Sequence, residues 1–155
     1  MPLTRRSIEQ GSDHAARVRL PARSREERAA SGTVRVFLCD DVPEFRSLMR
    51  FALEEDESIE VVGEAGNGAA GVEGVRATRP DVVLLDLSMP LCDGLEAIPQ
   101  IRRAAPDCAI VVLSGLRAEP IAPTVLAQGA HAYIGKGESF AGIRRVVRQS
   151  ATSAP

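Results

Sequence analysis

The sequence predicts a doubly wound α/β fold, a five-stranded parallel sheet with helices on both faces. Three observations predict it. Five short apolar segments alternate with helical patterns between residues 34 and 149, the spacing of βαβ units. The run Val82-Val83-Leu84-Leu85 is continuously apolar, which marks a strand buried on both faces, as in a parallel sheet. The chain has four Phe, one Tyr and no Trp, so its core is built from Val, Leu, Ile and Ala, which suits a sheet covered by helices.

The length of 155 residues suits one domain with a proper core. No apolar run approaches a membrane span, and no signal-peptide pattern opens the chain, so a cytoplasmic location without membrane contact is expected. Cys39, Cys92 and Cys108 share no metal-like spacing, and an odd count argues against a disulfide framework. They read as small buried or half-buried residues, with a redox role open only for Cys92. The net charge of −2 is uneven. Residues 1–33 hold seven Arg and four acids, a net of +3, whereas residues 34–155 carry a net of −5. An acidic body argues against a nucleic-acid-binding core. Lys136 is the only lysine.

Residues 1–33 are polar and Arg-rich with little apolar periodicity, so they read as a disordered basic tail, with a helix around Arg23–Ala30. Such a tail is either an arm for an acidic partner or an extension without a role. Val34 to Leu38 form the first strand, which ends at Cys39, Asp40 and Asp41. Pro43 suits a first helical turn, and Phe45, Leu48, Met49, Ala52 and Leu53 form one core-packing stripe. Ile59, Val61 and Val62 make a second strand that leads into Gly66-Asn67-Gly68. That pattern is too short for a nucleotide loop. A helix follows over Ala69–Thr78, weakened by Gly71 and Gly74.

Val82–Leu85 is the third strand and delivers Asp86 to its carboxyl end. Asp93-Gly94 starts the next helix, in which Pro99 is expected to kink the axis or leave a carbonyl unpaired. Cys108–Leu113 is the fourth strand, ending at Ser114-Gly115. The helix over 116–129 is expected to start late or irregularly because of Pro120 and Pro123. Ala130–Ile134 is the fifth strand, with His131 as a surface residue. It ends at Gly135-Lys136-Gly137. Ser139 is a candidate N-cap for a last helix with Phe140, Ile143, Val146 and Val147 inward and Arg144, Arg145 and Arg148 outward. Residues 150–155 read as a frayed end.

A lone Asp86 would read as a cap or turn residue. In a doubly wound sheet, however, the strand ends share one edge, where ligands bind. Asp40, Asp41, Asp86, Ser114 and Lys136 all fall on it. Three acids at one point need a hard cation, and oxygen donors without His or Cys suit Mg2+. Lys136 offers a point charge and Ser114 a hydroxyl for phosphate oxygens. Aspartate is a competent phosphoryl nucleophile.

These residues, with Asp86-Leu87-Ser88-Met89-Pro90, Asp93-Gly94 and Tyr133, make residues 34–149 resemble a receiver domain of the two-component response regulators. The resemblance implies a flavodoxin-like strand order 2-1-3-4-5 and Mg2+ as cofactor. It implies Asp86 as phosphoacceptor, served by a sensor histidine kinase or phosphotransfer protein. Asp41 would bind the ion directly, Asp40 mainly through water, and Asp86 and the Ser88 backbone carbonyl would complete the set. Lys136 would pair with the phosphoryl group, Ser114 would move to hydrogen-bond it, and Tyr133 would rotate inward. Gly137 departs from the family's common proline, and Pro120 and Pro123 fall in a helix that usually belongs to the output surface.

No helix-turn-helix fits after the last helix, so a stand-alone receiver without a DNA-binding domain is expected, with output by contact with a downstream protein. Strand five and the last helix are faces on which a homodimer could form. The expected role is a phosphoacceptor in a phosphorelay with slow self-dephosphorylation, not an enzyme. A partner-binding decoy or scaffold that is never phosphorylated is the alternative. A phosphatase with an aspartyl nucleophile is disfavoured, because Ser88 cannot serve as its second acid.

Overall fold

The computed structural model describes residues 24–90 and 92–153. The expectations for residues 1–23 and for 154 and 155 lie outside the described residues. Before the sheet, a short helix α1 (Arg25–Ser31) occupies part of the stretch expected to be tail. Its capping box explains why it forms. Ser24 Oγ accepts from the Glu27 N–H at 3.2 Å, and Glu27 accepts from the Ser24 N–H at 2.7 Å.

The sheet comprises β1 (Val34–Cys39), β2 (Ile59–Ala65), β3 (Val82–Leu85), β4 (Ala109–Ser114) and β5 (Ala132–Gly135). Its order is β2-β1-β3-β4-β5, with every neighbouring pair parallel. This is the doubly wound, flavodoxin-like order that the sequence predicts. The helices are α2 (Pro43–Glu54), α3 (Gly68–Thr78), α4 (Gly94–Ala104), α5 (Ala118–Ala127) and α6 (Phe140–Ser153).

Alternation along each strand splits the core in two. Val36, Leu38, Val82, Leu84, Val111 and Leu113 face α2 and α6. Phe37, Cys39, Val83, Leu85, Ile110 and Val112 face α3, α4 and Val125 of α5. All four residues of β3 are buried, as the unbroken apolar run requires of a central strand. Each such side chain contributes roughly 1.5–3 kcal/mol on burial. The same burial fixes the register that brings Asp86 to the edge.

The glycines that weaken α3 have a packing reason. A Cβ on Gly74 would lie 2.2 Å from the Phe37 ring, and one on Gly71 would lie 2.6 Å from Cys39 Sγ. The helix thus approaches β1 closely at a cost in propensity. β2 extends past Val62 to Ala65, with a register shift between Val36 and Phe37 that sets Phe37 beside Gly63.

Several expectations need correction. Helix α5 begins at Ala118, not late, because Pro120 falls in the first turn, where backbone N–H groups have no intrahelical partner anyway. The expectation for Pro99 stands: α4 continues through it, and its missing N–H leaves a carbonyl of the preceding turn without its helical partner. Helix α6 continues to Ser153 instead of fraying at residue 150, with Ser150 buried against the body. Ser139 does cap α6, its Oγ accepting from the Gly142 N–H at 3.1 Å. His131 is half-buried rather than a surface residue, and its Nδ1 accepts from the Ile110 N–H at 3.1 Å. Arg144 and Arg148 do not simply face solvent. Arg144 donates to the Ala52 carbonyl at 2.6 Å, and Arg148 pairs with Asp56, so both tie α6 to the end of α2. No helix among the described residues is long and apolar enough to cross a membrane.

Candidate functional site

The carboxyl ends of β1, β3, β4 and β5 meet at one edge. β1 hands over to Asp40 and Asp41, and β3 to Asp86. Each of these aspartates offers a carboxylate oxygen, and the three oxygens lie within 4.8 Å of one another. Asp40 and Asp86 are buried, at 5 % and 4 % exposure, while Asp41 is the most open of the three. From the end of β5, Lys136 Nζ reaches Asp40 Oδ2 at 2.6 Å and Asp86 Oδ2 at 3.4 Å. The acids and the single ammonium that the sequence predicts to converge do so.

Backbone donors hold the carboxylates. The Val42 N–H donates to Asp40 Oδ1 at 2.9 Å, and the Ser88 N–H donates to Asp86 Oδ1 at 3.3 Å. The loop after β3 is packed tightly from behind. A Cβ on Gly94 would lie 2.3 Å from the Asp86 carbonyl oxygen, so α4 can start there only with glycine. Asp93 caps that helix by accepting from the Glu96 N–H at 2.9 Å. The Asp93-Gly94 pair thereby seats α4 against the Asp86 loop.

Burial pushes the Asp86 carboxyl above its ordinary range. Lys136 opposes this, but the nearby Asp40 charge adds to it. Burial alone would lower the Lys136 ammonium; its hydrogen bond to Asp40 and the charge of Asp86 outweigh that and leave it raised. The Lys136 ammonium is thus held charged between Asp40 and Asp86, while burial still leaves the Asp86 carboxyl raised.

Ser114 is buried at the end of β4, and its Oγ accepts from the Leu116 N–H at 3.2 Å. Tyr133 is half-buried on β5, and its hydroxyl donates to the Leu116 carbonyl at 2.6 Å. Both residues thus hold the two sides of the same backbone unit. Ser88 is exposed beside Asp86.

Sequence reasoning missed three participants. Phe45, read as core stripe, lies with its ring centroid 4.3 Å from Lys136 Nζ. Arg46 donates from Nη1 to the Asp40 carbonyl and approaches Glu64 at 3.6 Å, which braces the β1–α2 connection. Leu116 joins Ser114 to Tyr133 only through main-chain atoms, which side-chain patterns do not reveal. The sole available signal was that Phe45 and Arg46 lie in the first turn after an acid pair. The cysteines are free. Burial, then the charges of Asp40 and Asp86, push the Cys39 thiol up to about 12. Burial and Glu96 likewise raise the Cys92 thiol, the opposite of what a redox-active thiolate needs.

The donor set fits a hard divalent cation. It is all oxygen, two of its members are buried, and their mutual repulsion is only partly met by Lys136.

A model of the response regulator receiver domain matches residues 36–148. The Azospirillum brasilense protein-glutamate methylesterase/protein-glutamine glutaminase is 38% identical over 132 residues, 83% of this chain and 34% of that protein. The response regulator UvrY of Escherichia coli K12 is 39% identical over 104 residues, 67% of this chain and 48% of that protein. The chain therefore spans between a third and a half of these relatives. The response regulator domain of Thermotoga maritima CheB superposes with a TM-score of 0.72 at 25% identity, covering 79% of this chain and 99% of that domain. The isolated REC domain of RcsB from Salmonella enterica serovar Typhimurium gives 0.71 at 26% identity, covering 79% and 91%. The fold, the convergent acids and these matches lead to one conclusion: the chain belongs to the response regulator receiver domain family of two-component signalling.

Proposed function

We propose that the chain is a phosphoacceptor switch in a two-component phosphorelay. Asp86 takes a phosphoryl group from the phosphohistidine of a sensor histidine kinase or phosphotransfer protein, and a downstream protein reads the altered surface. The observation that carries this reading is the buried Asp86 carboxylate at the sheet edge, with two further aspartates and the Lys136 ammonium converging on it.

In the reaction, an Asp86 oxygen attacks phosphorus, an O–P bond forms, the P–N bond breaks, and the imidazole leaves and recovers a proton from solvent. Asp40, Asp41, Asp86 and the Ser88 backbone carbonyl would hold Mg2+, which neutralises phosphoryl oxygen charge when bound. Lys136 stays beside Asp86 and pairs with a phosphoryl oxygen. The Ser114 hydroxyl turns from the Leu116 N–H and donates to another. That turn frees the Leu116 backbone unit, and Tyr133, bonded to its carbonyl, moves with it. A gain of about −2 in charge is enough to bias such a two-state element. The phosphoryl group is lost by slow self-hydrolysis. β5 and α6 are the faces on which a partner, or a second copy of the chain, would read the change.

The test is phosphoryl uptake from a small-molecule phosphodonor with Mg2+ and with a chelator. Uptake that requires Mg2+ supports the switch. Folded protein that takes up nothing in either condition supports the decoy or scaffold reading.

A further inference from the structure

Asp40 has both carboxylate oxygens committed, Oδ1 to the Val42 N–H and Oδ2 to Lys136 Nζ. A divalent cation that takes up the Asp40 carboxylate competes with the ammonium for Oδ2. The ammonium then keeps Asp86 at 3.4 Å and the face of Phe45, whose centroid lies 4.3 Å away. A ring face attracts a cation without competing for it as a metal ligand, and 4.3 Å is within the range of about 6 Å over which that attraction acts. Phe45 is only partly packed against the core, so its ring serves the site as well as the interior.

We propose that Phe45 is a positioning residue for Lys136: its ring face holds the ammonium at the strand ends when a divalent cation takes the Asp40 carboxylate. Without the ring, a flexible lysine displaced from Asp40 would swing toward solvent and leave Asp86 without its counter-charge. The inference rests on the three aspartates being a cation site, as proposed above.

Because Lys136 is the only lysine, selective 13C labelling of lysine gives one ε-methylene signal. That signal is recorded in the full chain, in Phe45→Leu and in Phe45→Tyr, each without and with saturating Mg2+. Ion binding is followed by the amide signals of Asp41 and Asp86. The parent and Phe45→Tyr should show the lysine signal upfield of the free-lysine position, and it should stay upfield with Mg2+. Phe45→Leu removes the ring current itself, so there the ε-methylene order parameter is compared instead. It should match the parent's without Mg2+ and fall to that of a free lysine once Mg2+ binds, whereas the parent's should stay high in both conditions. The proposal is overturned if Mg2+ moves the parent signal to the free-lysine position. It is also overturned if the ε-methylene order parameter of Phe45→Leu with Mg2+ equals the parent's, or if the Asp41 and Asp86 amides do not respond to Mg2+. Phosphoryl uptake is measured in separate samples. A chain that never accepts a phosphoryl group is thereby distinguished from one in which Phe45 does not hold Lys136.

Discussion

The Tyr133 hydroxyl donates to the Leu116 carbonyl at 2.6 Å, across the gap between β5 and the loop after β4. The N–H of that same residue donates to Ser114 Oγ at 3.2 Å. Leu116 therefore bonds to both switch candidates, and the proposed movement of Ser114 would reach Tyr133 through it. Tyr133→Phe removes one side of this link. The expected cost is small, ~0.5–1 kcal/mol, because the freed carbonyl is open to water. Phosphoryl uptake should persist, while the uptake-dependent shifts of Leu116 and β5 amides should shrink. Unchanged shifts would show that the coupling runs elsewhere.

Gly94 is the second test of how the site is held. A methyl group there meets the Asp86 carbonyl at 2.3 Å and Leu87 Cα at 2.8 Å, both backbone atoms that cannot swing aside. Gly94→Ala should cost roughly 1–3 kcal/mol in denaturant unfolding despite alanine's better helix propensity. It should also slow uptake at Asp86. Gly74→Ala, which meets the Phe37 ring instead, should destabilise without slowing uptake once the protein is folded. Equal uptake rates in the two variants would show that the Asp86 loop does not depend on this packing.

His131 makes one part of the acid response predictable. Burial, helped by Arg102, holds its pKa below the ordinary 6.5. Its Nδ1 accepts from the Ile110 N–H, so the folded protein favours the neutral ring. The unfolded chain therefore binds this proton first. The stabilisation is complete above 6.5 and declines as pH falls from there toward the lower folded value. His131→Asn keeps an acceptor near the same place but cannot titrate. Its stability should fall less than the parent's between 6.5 and about pH 5, above most carboxylate titration. Parallel pH profiles for the two proteins would refute the assignment.

The sheet was legible because its strands are apolar runs whose ends carry the chemistry. Val82–Leu85 alone located the central strand and Asp86, and Lys136 stood out as the only lysine. The misreadings share a physical cause. Pro120 argues against an early start of α5 by residue type alone, but in the first turn a missing N–H has no intrahelical partner to lose. Gly71 and Gly74 registered as weak helix formers because nothing local shows Phe37 and Cys39 packing against them. Phe45 fits the core stripe by spacing, and only the fold brings a cation from 91 residues away onto its ring. Leu116 acts through main-chain atoms, which its side chain does not advertise.

The most direct measurement of the central claim is intact mass after incubation with Mg2+ and a small-molecule phosphodonor, beside Asp86→Ala. The expected result is one added phosphoryl mass on the parent and none on Asp86→Ala, with both proteins folded. Equal gain in both, or no gain on the folded parent with Mg2+ present, would contradict Asp86 as the phosphoacceptor.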